Sequence, residues 1–102
     1  MGKEKERYHM EFEAMLKKLR TKAGKSRYKL SQWSGLSEGY LLRLENGERS
    51  NPSREVVVML AMALVSGSEN ITLFDVEDLL LSAGYAPLRR RGQSEVISAR
   101  GF

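Results

Sequence analysis

The sequence predicts an all-α protein, a compact domain of five helices. Three observations support this fold class. Apolar residues recur at spacings of three and four through most of the chain. Serine, threonine, asparagine and glycine stand where such helices would begin and end. Signals for strands are weak, because the β-branched run VVVML follows a helix start signal and continues a helical stripe.

The first three helices are predicted from stripes and stop signals. One apolar stripe marks the first helix, which should end at Gly24; it consists of Phe12, Met15, Leu16, Leu19 and Ala23. Ser26 is the expected N-cap of a short second helix, which buries Leu30 and ends at Gly35. Ser37 should cap the third helix. Its inward face consists of Tyr40, Leu41 and Leu44. Asn46 and Gly47 are its stop signal.

Two longer helices should follow a polar loop. Ser53 is the expected N-cap of the fourth helix, whose inward residues are Val56, Val57, Leu60, Ala61 and Leu64. Thr72 and Asp75 have the spacing of a capping box, with Asp where Glu or Gln is usual. They should open a fifth helix that ends at Gly84. Its apolar residues are Leu73, Val76, Leu79, Leu80 and Ala83.

The helical pattern covers residues 10–85, which we take as the domain. Residues 1–9 are a charged, basic tail in this interpretation, and residues 86–102 are a basic, mobile one. The 102 residues suffice for one small core. The chain has no cysteine, no long apolar run and no apolar stretch near its start. We therefore expect a cytoplasmic protein without disulfides, membrane spans or a secretory signal.

Charge is distributed unevenly along the chain. Residues 1–30 hold ten basic and four acidic residues, a net charge of +6, and residues 31–60 have a net charge of −1. Residues 61–84 hold four acidic and no basic residues, whereas residues 85–102 hold four basic and one acidic. A basic end can face nucleic acid or a membrane surface. A solvated surface with charged tails explains the same pattern equally well.

The break between the second and third helices has a specific interpretation. Two short helices joined by a tight turn containing glycine form a helix-turn-helix, in which the first helix braces the second. The outer face of the second can then enter a major groove. Gly35 supplies the positive φ that the turn needs, and Ser31 and Ser34 are small where the two helices would cross.

A longer segment resembles a known family. LKKLRTKAGKSRYKLSQWSGLSEGYLLRLENGERSNPS, followed by EVVVMLAMALV, resembles the DNA-binding domain of phage repressor and Cro-like regulators, the XRE family. The resemblance covers residues 10–85, and LLLSAGYAPL is similar to the fifth-helix ending of some bacterial members. It implies a sequence-specific double-stranded DNA-binding transcriptional regulator, a repressor that acts as a homodimer. It implies no cofactor.

The resemblance also implies roles for individual residues. Base contacts would come from Ser37, Glu38, Gly39 and Arg43 on the outer face of the third helix. Phosphate contacts would come from Arg27, Asn46, Arg49 and Arg54. Arg20 and Glu45 would form a structural ion pair between the first and third helices.

Several positions depart from the family pattern. Arg27 replaces the usual glutamine, and Trp33 stands where Lys, Arg or Gln is frequent. Gly39 lacks a side chain that often reads a base, and Glu38 puts an acid on a face that would meet a polyanion. Glu38 could accept a hydrogen bond from cytosine, whereas Arg43 suits guanine. Trp33 is either a packing residue or part of an interface.

Alternatives remain for the basic residues and for the function. Arg43, Arg49 and Arg54 could be plain solvated residues, and we expect most of five lysines to be solvated: Lys17, Lys18, Lys22, Lys25 and Lys29. A protein-interaction or antitoxin-like module with weak or no DNA binding would have the same fold. His9 stands alone and predicts no metal site. No catalytic constellation or phosphate-binding glycine loop is present, so we expect no enzyme.

The fifth helix is the expected contact with a second copy. It is apolar over more than the one stripe that packing against a core requires. The residues concerned are Leu73, Phe74, Val76, Leu79, Leu80 and Leu81. The alternative is that all of them close the core of a small domain.

Overall fold

The computed structural model describes residues 11–86, which form five α-helices and no strand. In chain order these are α1 (Phe12–Lys22), α2 (Arg27–Ser34), α3 (Glu38–Glu45), α4 (Arg54–Val65) and α5 (Leu73–Ser82). The predicted fold class is confirmed. The predictions for the N-terminal tail, for His9 and for the C-terminal tail beyond residue 86 lie outside the described residues.

Local side-chain hydrogen bonds start four of the five helices, as predicted. Ser26, Ser37 and Ser53 each accept a hydrogen bond from the backbone N–H three residues further on. Thr72 does the same with Asp75, whose carboxylate accepts from the Thr72 N–H at 3.0 Å, so the capping box is complete. Each such cap stabilises a helix by about 1 kcal/mol.

The turn between α2 and α3 depends on Gly35. This residue has a φ of +83°, and its N–H donates to the carbonyl of Ser31. Residues with a Cβ rarely adopt this left-handed conformation. Ser34 is buried beside the turn, and its hydroxyl accepts from the N–H of Leu36 at 3.1 Å. The chain therefore changes direction within three residues, and Ser37 starts α3.

One apolar core joins all five helices. Its fully buried large side chains are Leu16, Leu19, Leu30, Leu41, Leu44, Val57, Leu60, Leu64, Leu79 and Leu80. Helix α2 packs against α3 and α4, and α5 packs against α1 and α4. Helix α3 packs mainly against α1 and α2, which leaves its opposite side at the surface.

Some residues predicted to face inward lie at the edge of the core or outside it. Tyr40 and Val56 are partly buried, and Leu73 is exposed. Leu73 is the first residue of α5 and faces the cleft between α5 and α4, where the core no longer covers it. None of the helices within residues 11–86 combines the length and the apolar character needed to cross a bilayer.

Two lysines that we expected in solvent bind other parts of the domain. Nζ of Lys22 lies 2.7 Å from a carboxylate oxygen of Asp75 and ties α1 to α5. Nζ of Lys25 donates to the carbonyls of Ser66 and Leu64, at 2.7 and 3.3 Å, at the C-terminal end of α4. The last carbonyls of a helix have no partner within it, so a cation there is favourable. Burial and, secondarily, the nearby charge of Lys29 lower the pKa of Lys25.

Candidate nucleic-acid interface

Helix α3 presents an accessible outer face. Leu41, Leu44 and Glu45 point into the domain and are buried. The four residues that we expected to contact bases, Ser37, Glu38, Gly39 and Arg43, are all exposed. Eight residues span about 12 Å, a length that fits the width of a major groove.

Leu42 lies on the same outer face and was not among our predicted site residues. It follows Glu38 by four positions and Gly39 by three, so it shares their side of the helix. Its side chain is 44% exposed although it is apolar. Its helical spacing from Glu38 and Gly39 could have identified it, but we named it neither among the site residues nor among the inward residues of α3.

Gly39 and Arg43 are neighbours on this face. A Cβ built at Gly39 would lie 3.9 Å from Nη1 of Arg43. Apart from the two neighbouring residues and the backbone of the same helix, no other atom would lie within 4 Å of it. The guanidinium therefore extends back along α3 over the glycine. The missing side chain at position 39 leaves open space beside the charged group of Arg43, on the side that faces outward.

The loop after α3 carries two of the predicted phosphate-binding residues. The guanidinium carbon of Arg49 lies 5.5 Å from the centroid of the Tyr40 ring, a cation–π distance. The Arg49 N–H also donates to the carbonyl of Arg43 at 3.1 Å. The side-chain oxygen of Asn46 accepts from the N–H of Glu48, which fixes the turn. Together these contacts hold the loop at the C-terminal end of α3.

Another basic residue, Arg54, lies at the start of the next helix. It is the first residue of α4 and is exposed. The acids Glu48 and Glu55 are exposed near it in the chain, so charges of both signs occur along this part of the surface.

One buried carboxylate connects three helices. Glu45, the last residue of α3, has a side chain that is only 3% exposed. Its oxygens accept from Nε and Nη2 of Arg20 on α1, at 2.5 and 3.1 Å. Nη1 of Arg20 also donates to the carbonyl of Lys25. The end of α3 is thereby held against α1 by a bidentate pair, the stronger geometry for such ions.

Arg27 joins the same carboxylate, which the sequence did not lead us to expect. Its Nη1 lies 3.1 Å from Oε1 of Glu45, and its side chain is about one-third exposed. Two guanidinium groups share one carboxylate, so the cluster retains one positive charge at the start of α2. A phosphate contact by Arg27 would therefore use a side chain that Glu45 already holds.

Metal ligation has no candidate group within residues 11–86. No three His, Cys, Asp or Glu side chains in that range are placed to hold a metal ion together. The site consists instead of hydrogen-bond donors and a few apolar and acidic groups on α3 and its flanking loop.

A short helix that braces a second one, a turn through Gly35 and an exposed outer face define a helix-turn-helix domain. The family model described as a helix-turn-helix domain matches residues 11–70, and the chain belongs to that family. Membership in this family supports DNA binding. Helix α5 lies beyond the matched range. No curated protein matches the chain, and no solved structure does either.

Proposed function

We propose that the protein is a sequence-specific regulator of transcription of the phage repressor and Cro-like (XRE) family, which acts as a repressor by binding duplex DNA. The observation that carries the proposal is the accessible outer face of α3, with Arg43 exposed on it. Its action is binding rather than catalysis, and it uses no cofactor.

Base recognition is assigned to the outer face of α3. Arg43 donates to O6 and N7 of guanine, the commonest specific contact between a side chain and a base. Leu42 offers an apolar contact to the methyl group of thymine, and Glu38 accepts from N4 of cytosine. Gly39 adds no contact of its own but leaves space in which Arg43 can adjust. Ser37, at the helix start, completes the set.

Phosphate contacts are assigned to the flanks of α3. Arg49 is oriented by Tyr40, and Arg27 is held by Glu45 at the start of α2. Asn46, in the same loop as Arg49, and Arg54, at the start of α4, complete the set. Such contacts fix the position of the protein on the duplex and carry little sequence information.

Salt dependence of duplex binding tests the proposal. We expect the full chain to bind random duplex DNA with a Kd of about 10⁻⁴–10⁻⁶ M near physiological salt, and the affinity to fall steeply as salt rises. Fluorescence anisotropy with a labelled duplex, at several salt concentrations, measures both quantities. Absence of binding at low salt, or an affinity that salt does not change, would refute DNA binding.

Selection of bound sequences from a random duplex pool tests specificity. If the recovered site contains a guanine whose preference depends on Arg43, the assignment of Arg43 to base recognition is supported. A reporter gene with that site in its promoter then tests repression. Expression that falls when the protein is produced supports a repressor, whereas expression that rises identifies an activator.

A homodimer is part of this proposal. A single α3 reads few base pairs, and two-fold related domains place their recognition helices on half-sites about 34 Å apart. On α5, Phe74 and Leu81 are exposed although they are large and apolar. The acidic stretch that contains α5 also suits a surface turned away from DNA. We therefore assign the contact between copies to this side of α5.

A second candidate function is supported by the same outer face. Glu38 is acidic, Gly39 has no side chain and Leu42 is apolar, which suits contact with a protein as well as with DNA. An interaction or antitoxin-like module would bind a protein partner and show weak or no affinity for DNA. The salt titration described above separates the two functions.

A further inference from the structure

Helix α4 is apolar on its exposed side as well as on its buried side. After Glu55 it contains no charged or polar residue as far as Val65. Val58, Met62 and Val65 follow one another at helical spacing, and Met62 is 65% exposed. A helix at the surface of a soluble domain normally has polar residues on its outer side. This face of α4 is therefore suited to being covered.

The exposed face of α4 forms one wall of a groove. The opposite wall belongs to α5, and the groove has a volume of about 350 Å³. Its lining is apolar apart from one serine and consists of Val58, Ala61, Met62, Val65, Ser66, Leu73 and Val76. Grooves of this size and character accommodate several apolar side chains of a ligand.

The chain leaves α5 near the start of α4, at the opposite end of this helix pair from the loop that borders the groove. The hydroxyl of Tyr85 donates to the carbonyl of Pro52 at 2.6 Å, just before α4 begins. The loop between Val65 and Leu73 closes the other end, so α4 and α5 run in opposite directions. Residues 87–102 therefore follow from a point near the start of α4. Sixteen extended residues reach about 50 Å, whereas a helix of twelve residues is about 18 Å long.

Charge favours contact between this segment and the groove. Residues 61–84 contain four acids and no base, and three of the acids are Glu69, Glu77 and Asp78 on the loop and on α5. Residues 87–102 contain four arginines and one glutamate. Val96 and Ile97 supply adjacent apolar side chains between the arginine cluster at 89–91 and Arg100.

We propose that the C-terminal segment, residues 88–102, binds in the groove between α4 and α5. Val96 and Ile97 contact Met62, and the arginines face the acidic residues beside the groove. The segment thereby covers the apolar face of α4 and limits non-specific association. This inference concerns a surface remote from α3 and does not depend on DNA binding.

Disulfide trapping in the full chain tests the contact directly, because the natural chain has no cysteine. The test variant carries Met62→Cys and Ile97→Cys. The control carries Lys17→Cys and Ile97→Cys, since Lys17 is exposed on α1 away from the apolar stripe. We expect the test pair to oxidise about ten-fold faster than the control pair, because a bound segment raises the effective concentration of its thiol at the groove.

The products distinguish the possible occupants. A bond between positions 62 and 97 supports the proposal, whether it lies within one chain or joins two chains that exchange segments. Equal rates in the test and control pairs would overturn it. A bond formed only between two Met62→Cys positions would also overturn it, because a second copy of α4 would then occupy the groove.

A thermal measurement keeps the proposal falsifiable if the cysteines are badly oriented. The full chain with Val96→Asp and Ile97→Asp should have a lower Tm and bind more of a hydrophobic dye. The matched control is Ser94→Asp with Ser98→Asp, which introduces the same charge in the same segment. Equal Tm values and equal dye binding in the two variants would contradict the proposal.

Discussion

Arg20 and Glu45, 25 positions apart in the chain, form a two-point salt bridge in the interior of the domain. The pair links α1 to the last residue of α3 and so sets the position of the recognition helix. Glu45 also binds Arg27, which adds the start of α2 to the same cluster. A single carboxylate thus links α1 and α2 to α3, the helix that is proposed to contact bases.

Removal of either member of the pair should strongly destabilise the domain. Arg20→Ala leaves the buried carboxylate of Glu45 with the partly exposed Arg27 alone, and Glu45→Ala leaves two guanidinium groups without their carboxylate. We expect a loss of about 3–5 kcal/mol in the free energy of unfolding for each, because a buried charge loses its bidentate partner. The double variant should lose less than the sum. Urea denaturation measures these values.

Lys22→Ala is the control for this prediction. It breaks the pair between Lys22 and Asp75, in which the lysine is well exposed. We expect a loss of about 0–1 kcal/mol, as for surface pairs. Losses for Arg20→Ala and Glu45→Ala no larger than this would show that the internal cluster contributes little.

Arg43→Ala and Arg49→Ala should affect DNA binding differently. The first should remove about 1–3 kcal/mol of preference at one base pair, because it deletes a base contact. The second should weaken binding to all sequences nearly equally, because it deletes a phosphate contact. Competition titrations with the selected site and its single-base variants measure both. Unchanged preference in Arg43→Ala would remove this residue from the base-reading set.

Two glycine substitutions should change stability in opposite directions. Gly39→Ala should stabilise the fold by about 0.5–1 kcal/mol, because alanine loses less backbone entropy in a helix. The new methyl group meets only Arg43, at an ordinary contact distance. Gly35→Ala should destabilise by about 1–2 kcal/mol, because position 35 is left-handed. Thermal unfolding measures the change in stability of each variant. Changes in the same direction for both variants would contradict the backbone geometry at these two positions.

Asp75 should make a contribution to stability that depends on pH. Burial alone would raise its pKa. The hydrogen bond and charge of Lys22, together with the hydrogen bonds of Thr72, outweigh burial and hold the pKa below its ordinary value. The ionised form therefore stabilises the fold above the ordinary aspartate pKa of about 3.9, and this stabilisation is lost as the pH falls through the lower pKa of the folded state.

Asp75→Asn tests this dependence. At pH 7 it should lower the free energy of unfolding by about 1 kcal/mol, the scale of a helix cap or an accessible ion pair. The difference from the natural chain should shrink as the pH falls below about 4. Asp78→Asn, at an exposed position of the same helix, is the control. An effect of Asp75→Asn that is constant between pH 7 and low pH would refute the electrostatic cause.

Leu81→Glu should separate the proposed dimer into monomers. Leu81 is 52% exposed on α5, so a charge there costs the monomer little but is unfavourable in an apolar interface. Sedimentation equilibrium of the natural chain at tens of micromolar should show a dimer, and the variant a monomer with an unchanged helical spectrum. A natural chain that remains monomeric with and without palindromic DNA would exclude the dimer.

Most of the helical architecture followed from short-range rules in the sequence. A side-chain acceptor three residues before a backbone N–H favours a helix start, and Ser26, Ser37, Ser53 and Thr72 provide it for four of the five helices. The turn needs a residue that tolerates positive φ, and Gly35 is that residue. The spacing of apolar residues predicted most of the core, because that spacing is a property of the helix itself.

The partners of the long cationic side chains were decided by the tertiary structure. Arg27 contacts Glu45, 18 positions away, and Lys25 contacts Ser66, 41 positions away. Flexible side chains reach any acceptor that folding brings near, and local sequence does not specify which one that is. The groove beside Met62 is tertiary for the same reason. Helical spacing indicates that α4 is apolar all round, but only the position of α5 leaves one side of it uncovered.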